Sequence, residues 1–459
     1  MPDFGEVLLV HSIDTEGPLY ESLEATFDRV ENLTGVKGLP RNQETLLSLQ
    51  QGRFNLSGKE EIVQQILSSH LISYNDTWDK IDHMLDRIMS DSFRLQLPDS
   101  FSQGWVYNWH CLDHVGYDYN PRRRDIGYHN IFDHYRKRIS NRPTRDRIHF
   151  HFHPMSTYKD AHYCATSFTN SPELHQIICR RIVERNWFPS VFRAGFHTER
   201  PDSHWFLEQW IPFDLSNISL DTHRSYDSAD YANGRGGDWR LAPSDWSVYH
   251  PHHDNYQLHG SCRRWIGRAL TVLNRFDGLD QFEMDKAFQR ASSGQHTLVG
   301  ITSHDFRDLQ PEVEHALSLI STSASRYPHV KYRFCEATEA FLIATGQNID
   351  HEPLELDVTL HDQGNHPPYI EVSTVHGSTF GPQPYLAIQT KSRRFIHDNF
   401  DFCPSGQRWY YTFDTHTLPL HDVQHIGVAS NDKYGNCSIK HLQSHISSSG
   451  NQTLIPYTP

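Results

Sequence analysis

The segment Ile148-His149-Phe150-His151-Phe152-His153-Pro154 sets a histidine at every second position, with aliphatic or aromatic residues between. Successive side chains of a strand point to opposite faces, so the three imidazoles share one face and the apolar residues the other. A buried ring nitrogen needs a partner, and a divalent metal ion is a common partner for neutral imidazole. An exposed strand face or a hydrogen-bonded histidine cluster would use the same pattern. Either way, the chain must build a strand with one chemically loaded face.

Three other segments share this grammar of an apolar run that ends on chemistry. Val7-Leu8-Leu9-Val10 leads into His11-Ser12-Ile13-Asp14-Thr15-Glu16, a buried strand that delivers two acids and stops at Gly17-Pro18. Val191-Phe192 is followed by Arg193-Ala194-Gly195, and Leu298-Val299-Gly300-Ile301 by Thr302-Ser303-His304-Asp305. Parallel α/β folds put their active sites at the C-terminal ends of their strands. One such strand end is ordinary capping; four in one chain predict a shared site.

In this order, Ser-Ile-Asp-Thr-Glu-Gly, His-Phe-His-Pro, Phe-Arg-Ala-Gly, Asp238-Trp239-Arg240 and Ile-Thr-Ser-His-Asp resemble the motifs of the polysaccharide deacetylase (NodB-homology) family. More broadly the chain is similar to the glycoside hydrolase/deacetylase superfamily, over roughly residues 5–345. The resemblance implies a distorted (β/α)7 barrel. Two departures stand out. The family's adjacent aspartates are replaced by Asp14-Thr15-Glu16, and its His-Ser/Thr-x-x-His pair by the tighter His151-Phe152-His153. A branch with Asp-x-Glu, His-x-His-Pro and Phe-Arg-Ala-Gly is the better match.

A rival exists for the histidine pair. Trp105 to Trp109 reads as a strand, and His110 and His114 behind it have the i, i+4 spacing that puts two rings on one helix face. That segment comes one strand too early, because the helical run Pro172 to Asn186 should separate the second motif from Arg193. His151 and His153 are therefore preferred.

At 459 residues the chain predicts two domains, since single cores stop growing near ~250–300 residues. A formal charge of −14 argues against nucleic acid as a partner. No apolar run approaches the ~18 residues of a membrane span. The start lacks a basic, apolar leader, and the seven cysteines form no disulfide framework. A cytoplasmic protein with reduced thiols is the expectation, its oligomeric state open.

Residues 1–348 are assigned to the barrel and 349–459 to a C-terminal β-rich domain. About residues 19–100 form a helical insertion over the mouth, with helical spacing at Glu60–His70 and Asp76–Met89 and a polar stretch at Lys37–Ser57. Asn120 to Asp125 holds three consecutive arginines, a loop suited to a phosphate or carboxylate or simply to solvent. Between Tyr226 and His259 the chain is rich in Gly, Trp, Tyr and His, Trp239 among them, and suggests an aromatic wall for sugar faces. Short alternating runs at Leu354–Leu360, Tyr369–Ser373, Tyr385–Ile388, Arg408–Phe413 and His425–Ala429 predict an antiparallel β-sandwich. The last dozen residues read as disordered.

The resemblance implies a metal-dependent hydrolase that removes an acetyl group from an N- or O-acetylated sugar or nucleotide sugar, in surface-polysaccharide or glycan metabolism. It assigns Glu16, His151 and His153 to one divalent metal, zinc first, with nickel, cobalt or manganese as alternatives. Asp14 is then the general base and Arg193 orients it or a ligand. Asp238 pairs with Arg193 or His304, and His304 is the general acid, tuned by Asp305 or Asp238. His110, His114, His149, Trp239 and Asp305 are further pocket residues, and no organic cofactor is expected. The alternatives are a glycoside hydrolase or metal-free amide hydrolase on the same scaffold, with Asp14 and Asp238 as the glycosidase's two carboxylates, and a non-catalytic sugar-binding barrel.

Overall fold

The strand that leads into both acids is buried on its two faces, as a central strand of a parallel sheet must be. In the computed structural model β1 spans Glu6–Thr15. The structure describes all residues except 1–3, 142, 155–158, 160–167, 170, 222–236, 276–277, 348–350, 363, 365, 404–405, 447–451 and 459. The other strands of the first sheet are β2 (Tyr107–Cys111), β3 (Arg147–Phe152), β4 (Val191–Ala194), β5 (Phe213–Asn217), β8 (Trp265–Thr271), β9 (Thr297–His304) and β10 (Lys331–Phe334). A two-stranded hairpin, β6 (Pro251–His252) and β7 (Asn255–His259), precedes β8.

The parallel order β1-β2-β3-β4-β5-β8-β9 returns to β1, which closes a seven-stranded barrel. The closure is uneven. β1 pairs with β10 through Glu6–Leu9 and with β2 only through His11–Thr15, so β10 is wedged at the foot of that seam. Leu8 and Val10 pack with Val191, Phe213, Leu215 and Ala269, and with Phe341 of the helix Ala337–Ala344. That helix plugs the bottom of the lumen. Val7, Leu9 and Ile13 face the surrounding helices instead. By alternation Ser12 and Asp14 lie on the inner face, above the apolar plug.

The insertion is helical at Leu23–Thr34, Gln43–Gln50, Glu60–Ile66, Ser69–Ile72, Trp78–Ile88 and Asp91–Arg94. The stretch read as merely polar thus contains a helix, Gln43–Gln50, started by the Asn42 side chain and held by buried Leu46 and Leu49. The insertion is tied to the barrel mouth where Asn75 donates from its amide to Phe306 O at 2.8 Å and from its side chain to Asp305 O at 2.9 Å.

Beyond the barrel, β11 (Glu355–His361), β12 (Tyr369–His376), β16 (Arg408–Thr412) and β15 (Asp401–Phe402) form one antiparallel sheet. The second contains β14 (Phe395–Asp398), β13 (Tyr385–Thr390), β17 (Val423–Asn431), β18 (Cys437–Ile446) and β19 (Gln452–Pro456). Leu356, Ile370, Val372 and Trp409 of the first meet Leu386, Ile388, Ile426 and Val428 of the second in one core, the arrangement of a sandwich. β19 corrects the disordered reading for Gln452–Pro456, which complete a sheet edge by pairing with β18, while residues 448–451 and 459 of that stretch lie outside the described residues.

Tyr385, Ala387 and Ala429 of this sandwich are buried with Ile178, Ile182, Leu207 and Trp210 of the barrel's helices. Asn431 Nδ2 donates to Pro189 O and Trp210 O at 2.7 and 2.8 Å. A chain ended at Gly346 exposes this whole face, at about 1.5–3 kcal/mol per large apolar side chain. It is expected to aggregate or melt early while keeping the ligand residues. Size-exclusion chromatography and thermal melting check this; a monodisperse fragment with unchanged melting would assign the sandwich to partner or glycan binding instead.

Candidate functional site

The inner face of β1 presents Asp14 to Arg193 on β4, across the lumen mouth. Arg193 Nε donates to Asp14 Oδ1 at 2.6 Å and Nη2 to Oδ2 at 2.9 Å, a fork on both oxygens. Its remaining nitrogen donates to Leu215 O at 2.9 Å, so the fully buried guanidinium is anchored at three points. Burial alone would push the Asp14 carboxyl up, but Arg193, with His151 beside it, holds it well below the ordinary aspartate range.

Glu16 lies just past the end of β1, and three groups fix it. Its amide donates to Asp305 Oδ1 at 2.8 Å, its carbonyl accepts from His114 Nε2 at 3.0 Å, and Arg124 Nη2 lies 2.6 Å from its Oε2. Its Oε1 is then left facing His153 Nε2 at 3.6 Å and His304 Nε2 at 3.8 Å. Burial raises the carboxyl above the ordinary value, against the pull of Arg124 and His151.

Opposite it, β3 presents His151, and His153 follows just past its end. His151 Nδ1 donates to Arg193 O at 2.9 Å, which leaves the lone pair on Nε2; that atom stands 3.0 Å from His153 Nε2. Two nitrogen ligands of a tetrahedral zinc, each ~2.0–2.1 Å from the ion, are themselves about 3.3 Å apart. Glu16, His151 and His153 each offer an atom within 4.8 Å of the other two, and all three residues are buried. His153 Nδ1 is buried without a partner. The donor set and its spacing fit a divalent ion.

The glycine of Phe-Arg-Ala-Gly has a concrete cause. A Cβ on Gly195 would lie 1.9 Å from His153 Cδ2, so the imidazole rests directly on the glycine backbone. Phe196 then closes over the ring at 4.7 Å, with Phe196 and His197 both at left-handed φ, 52° and 51°.

His304 ends β9 with its Nε2 3.8 Å from Asp14 Oδ2 as well as from Glu16. Burial keeps this ring in its neutral form, opposed by Asp14 and helped by Arg307. Asp305, expected to tune His304, turns the other way because neighbours on a strand alternate. It accepts from the Glu16 and Gly17 amides and from Tyr135 Oη at 2.8 Å. Its effect on the site is to position Glu16.

Other expectations are corrected. Asp238 pairs with Arg240 at 2.9 Å rather than with Arg193 or His304; Arg193 is already saturated by Asp14, and an arginine two residues away is the nearer partner. Trp239 is no sugar-facing wall. It is fully buried, donates from Nε1 to His197 O at 2.8 Å and packs edge-on against Tyr256, while Trp246 and Tyr249 join the same core. Residues 222–236 of that aromatic segment lie outside the described residues.

The rival pair is not helical. His110 lies in β2, paired with Asp14 on one side and His149 on the other, because the strand continues to Cys111. His110 is buried with both ring nitrogens unpartnered, and His114 stands beyond the strand holding Glu16. His149 sits below the cluster, with its Nε2 donating to Asn108 Oδ1 at 3.0 Å and lying 3.2 Å from Glu336 Oε1. The sequence reading missed Arg124 and Tyr135 as positioning groups. The first was visible only as one of three arginines in a loop, the second as an ordinary helix aromatic.

The fold and site together define a closed parallel α/β barrel with a three-residue ligand cluster at its C-terminal mouth. No protein-family model, no curated protein and no solved structure matches the chain. No described helix is long and apolar enough to cross a membrane.

Proposed function

We propose that this barrel is a metal-dependent hydrolase that removes an acetyl group from an N- or O-acetylated sugar. The observation that carries the reading is the buried Glu16–His151–His153 group set against an acid–base pair, Asp14 and His304. Two histidines and one carboxylate around an open position are a common catalytic ligand set, and zinc is its usual occupant. A bound divalent ion would polarise the acetyl carbonyl and make an attacking water more acidic.

The chain's own residues account for the rest. Arg193 holds the Asp14 carboxylate in one orientation, and the second lone pair of Asp14 Oδ2 takes the proton from the attacking water. His304, neutral at rest, takes that proton from Asp14 Oδ2 through its nearby Nε2 and passes it to the leaving amine or alkoxide. Asp305, His114 and Arg124 keep Glu16 Oε1 aimed at the histidines, the support that ligands of this kind require. The glycoside hydrolase alternative asks Asp238 to stand opposite Asp14, whereas Asp238 is engaged by Arg240.

Metal analysis of the purified chain should find a divalent ion, and acetylated sugars or nucleotide sugars should release acetate. Sugar binding without acetate release, or cleavage of a glycosidic bond, would overturn the proposal.

A further inference from the structure

The arginine-rich loop is not spread into solvent. Arg122 and Arg124 turn inward, and three more arginines meet them at the mouth: Arg29 from the insertion, Arg275 after β8 and Arg307 after β9. Among the described residues, two carboxylates form ion pairs with them. Glu21 is taken by Arg29 and Arg122, and Glu16 by Arg124. Among the described residues no carboxylate lies within ion-pair distance of Arg275 or Arg307. Arg307 is buried, makes no side-chain hydrogen bond there and has an unpartnered Nε. Among the described residues Arg275 reaches only Leu71 O at 3.2 Å and Tyr74 Oη at 3.4 Å, and its buried Nε has no partner there.

Two of these cations flank one aromatic ring. The guanidinium carbons of Arg124 and Arg307 each stand 5.4 Å from the Phe306 ring centre. That ring is 4.7 Å from His304 and 5.9 Å from Tyr74. Burial lowers Arg275 to about 10, with Arg29 and Arg307 adding repulsion. Burial would raise the Tyr74 phenol, but Arg29, Arg275 and Arg307 bring it below its ordinary value. Uncompensated buried cations destabilise a fold unless something anionic neutralises them, and guanidinium forks match phosphate oxygens.

We propose that Arg275, Arg307 and Tyr74 form a phosphate subsite beside the ligand cluster, so that the substrate is a phosphorylated acetyl sugar. A phosphate monoester or a nucleotide diphosphate bridge presents the same chemistry. The excess of positive charge favours such a group over a single carboxylate. As far as it names the substrate, the inference rests on the deacetylase reading.

Calorimetric titration of the full chain with inorganic pyrophosphate tests it, as purified and again after chelation to remove any metal–phosphate contact. Saturable binding is expected in both forms. Arg275→Gln and Arg307→Gln should each weaken it at least about tenfold, the loss of one charge-assisted contact. Neither should lower the melting temperature in phosphate-free buffer, because each removes a cation that has no carboxylate within ion-pair distance among the described residues, and metal content should stay unchanged. Arg307→Lys keeps the charge and guards against a folding artefact, with binding intermediate between wild type and Gln. No binding by wild type, undiminished binding in both Gln variants, or tighter binding of citrate than of pyrophosphate would overturn the phosphate subsite. Acetate release that does not distinguish phosphorylated from plain acetyl sugars would overturn its assignment to substrate. Absence of any acetate release, with pyrophosphate binding intact, would instead remove the deacetylase reading.

Discussion

Arg193→Met is expected to cost the protein about 3–5 kcal/mol in urea unfolding, the usual result of leaving one member of a buried ion pair alone. The loss arises at Asp14, whose carboxylate would keep no cationic fork in a buried place. Asp14→Asn in the Arg193→Met background should recover much of it, because the double variant buries no unpaired charge. A double-mutant cycle over the four proteins reads the coupling directly. Additive effects would mean that Arg193 acts through packing alone. Asp14→Asn by itself leaves the buried Arg193 guanidinium without its carboxylate, so it too should lose stability, and it is expected to keep the metal and lose turnover.

His151→Ala and His153→Ala are expected to reduce the metal content of purified protein from near-stoichiometric to trace, since each removes a direct ligand. Acetate release should fall by roughly 10²–10³-fold or more, the scale of losing a principal electrostatic stabiliser. The fold should survive, because neither ring anchors the apolar plug around Phe341. Far-ultraviolet circular dichroism beside metal analysis checks both halves. Full metal occupancy in the double variant would move the ligand role to the rival pair, His110 and His114.

Much of the site was legible because its carriers are periodic. The His-x-His face and the spacing of Asp14 and Glu16 follow from strand alternation, and the ends of β1, β3, β4 and β9 were marked by the loss of apolar residues. What was not legible is pairing. Arg193 finds Asp14 179 positions away, and nothing local decides between Asp14 and Asp238 as its partner. Asp305 and His304 are neighbours in sequence, yet the strand turns them to different tasks. The aromatic stretch around Trp239 misled for a different reason. An indole N–H bonded to a backbone carbonyl, as here to His197, lets a tryptophan disappear into a core with the same composition as an exposed platform. His110 was misplaced because a strand's last residues carry no stop signal when the ladder partners lie on distant segments.

The pairing of β1 also sets a schedule for synthesis. Val7 meets Thr297 across the barrel closure, 290 positions further along the chain, and only then is the second edge of β1 covered. At the ~5–20 residues per second of a growing chain, this apolar strand waits some fifteen to sixty seconds for β9, and β10 pairs with its first residues only later still. Throughout that interval both acids of the site ride on an open sheet edge, and the barrel mouth does not yet exist. Long-range parallel pairing of this kind is slow and exposed to aggregation. Yield on overexpression should therefore depend strongly on temperature and chaperone supply, with the N-terminal third of the chain as the segment that needs shelter.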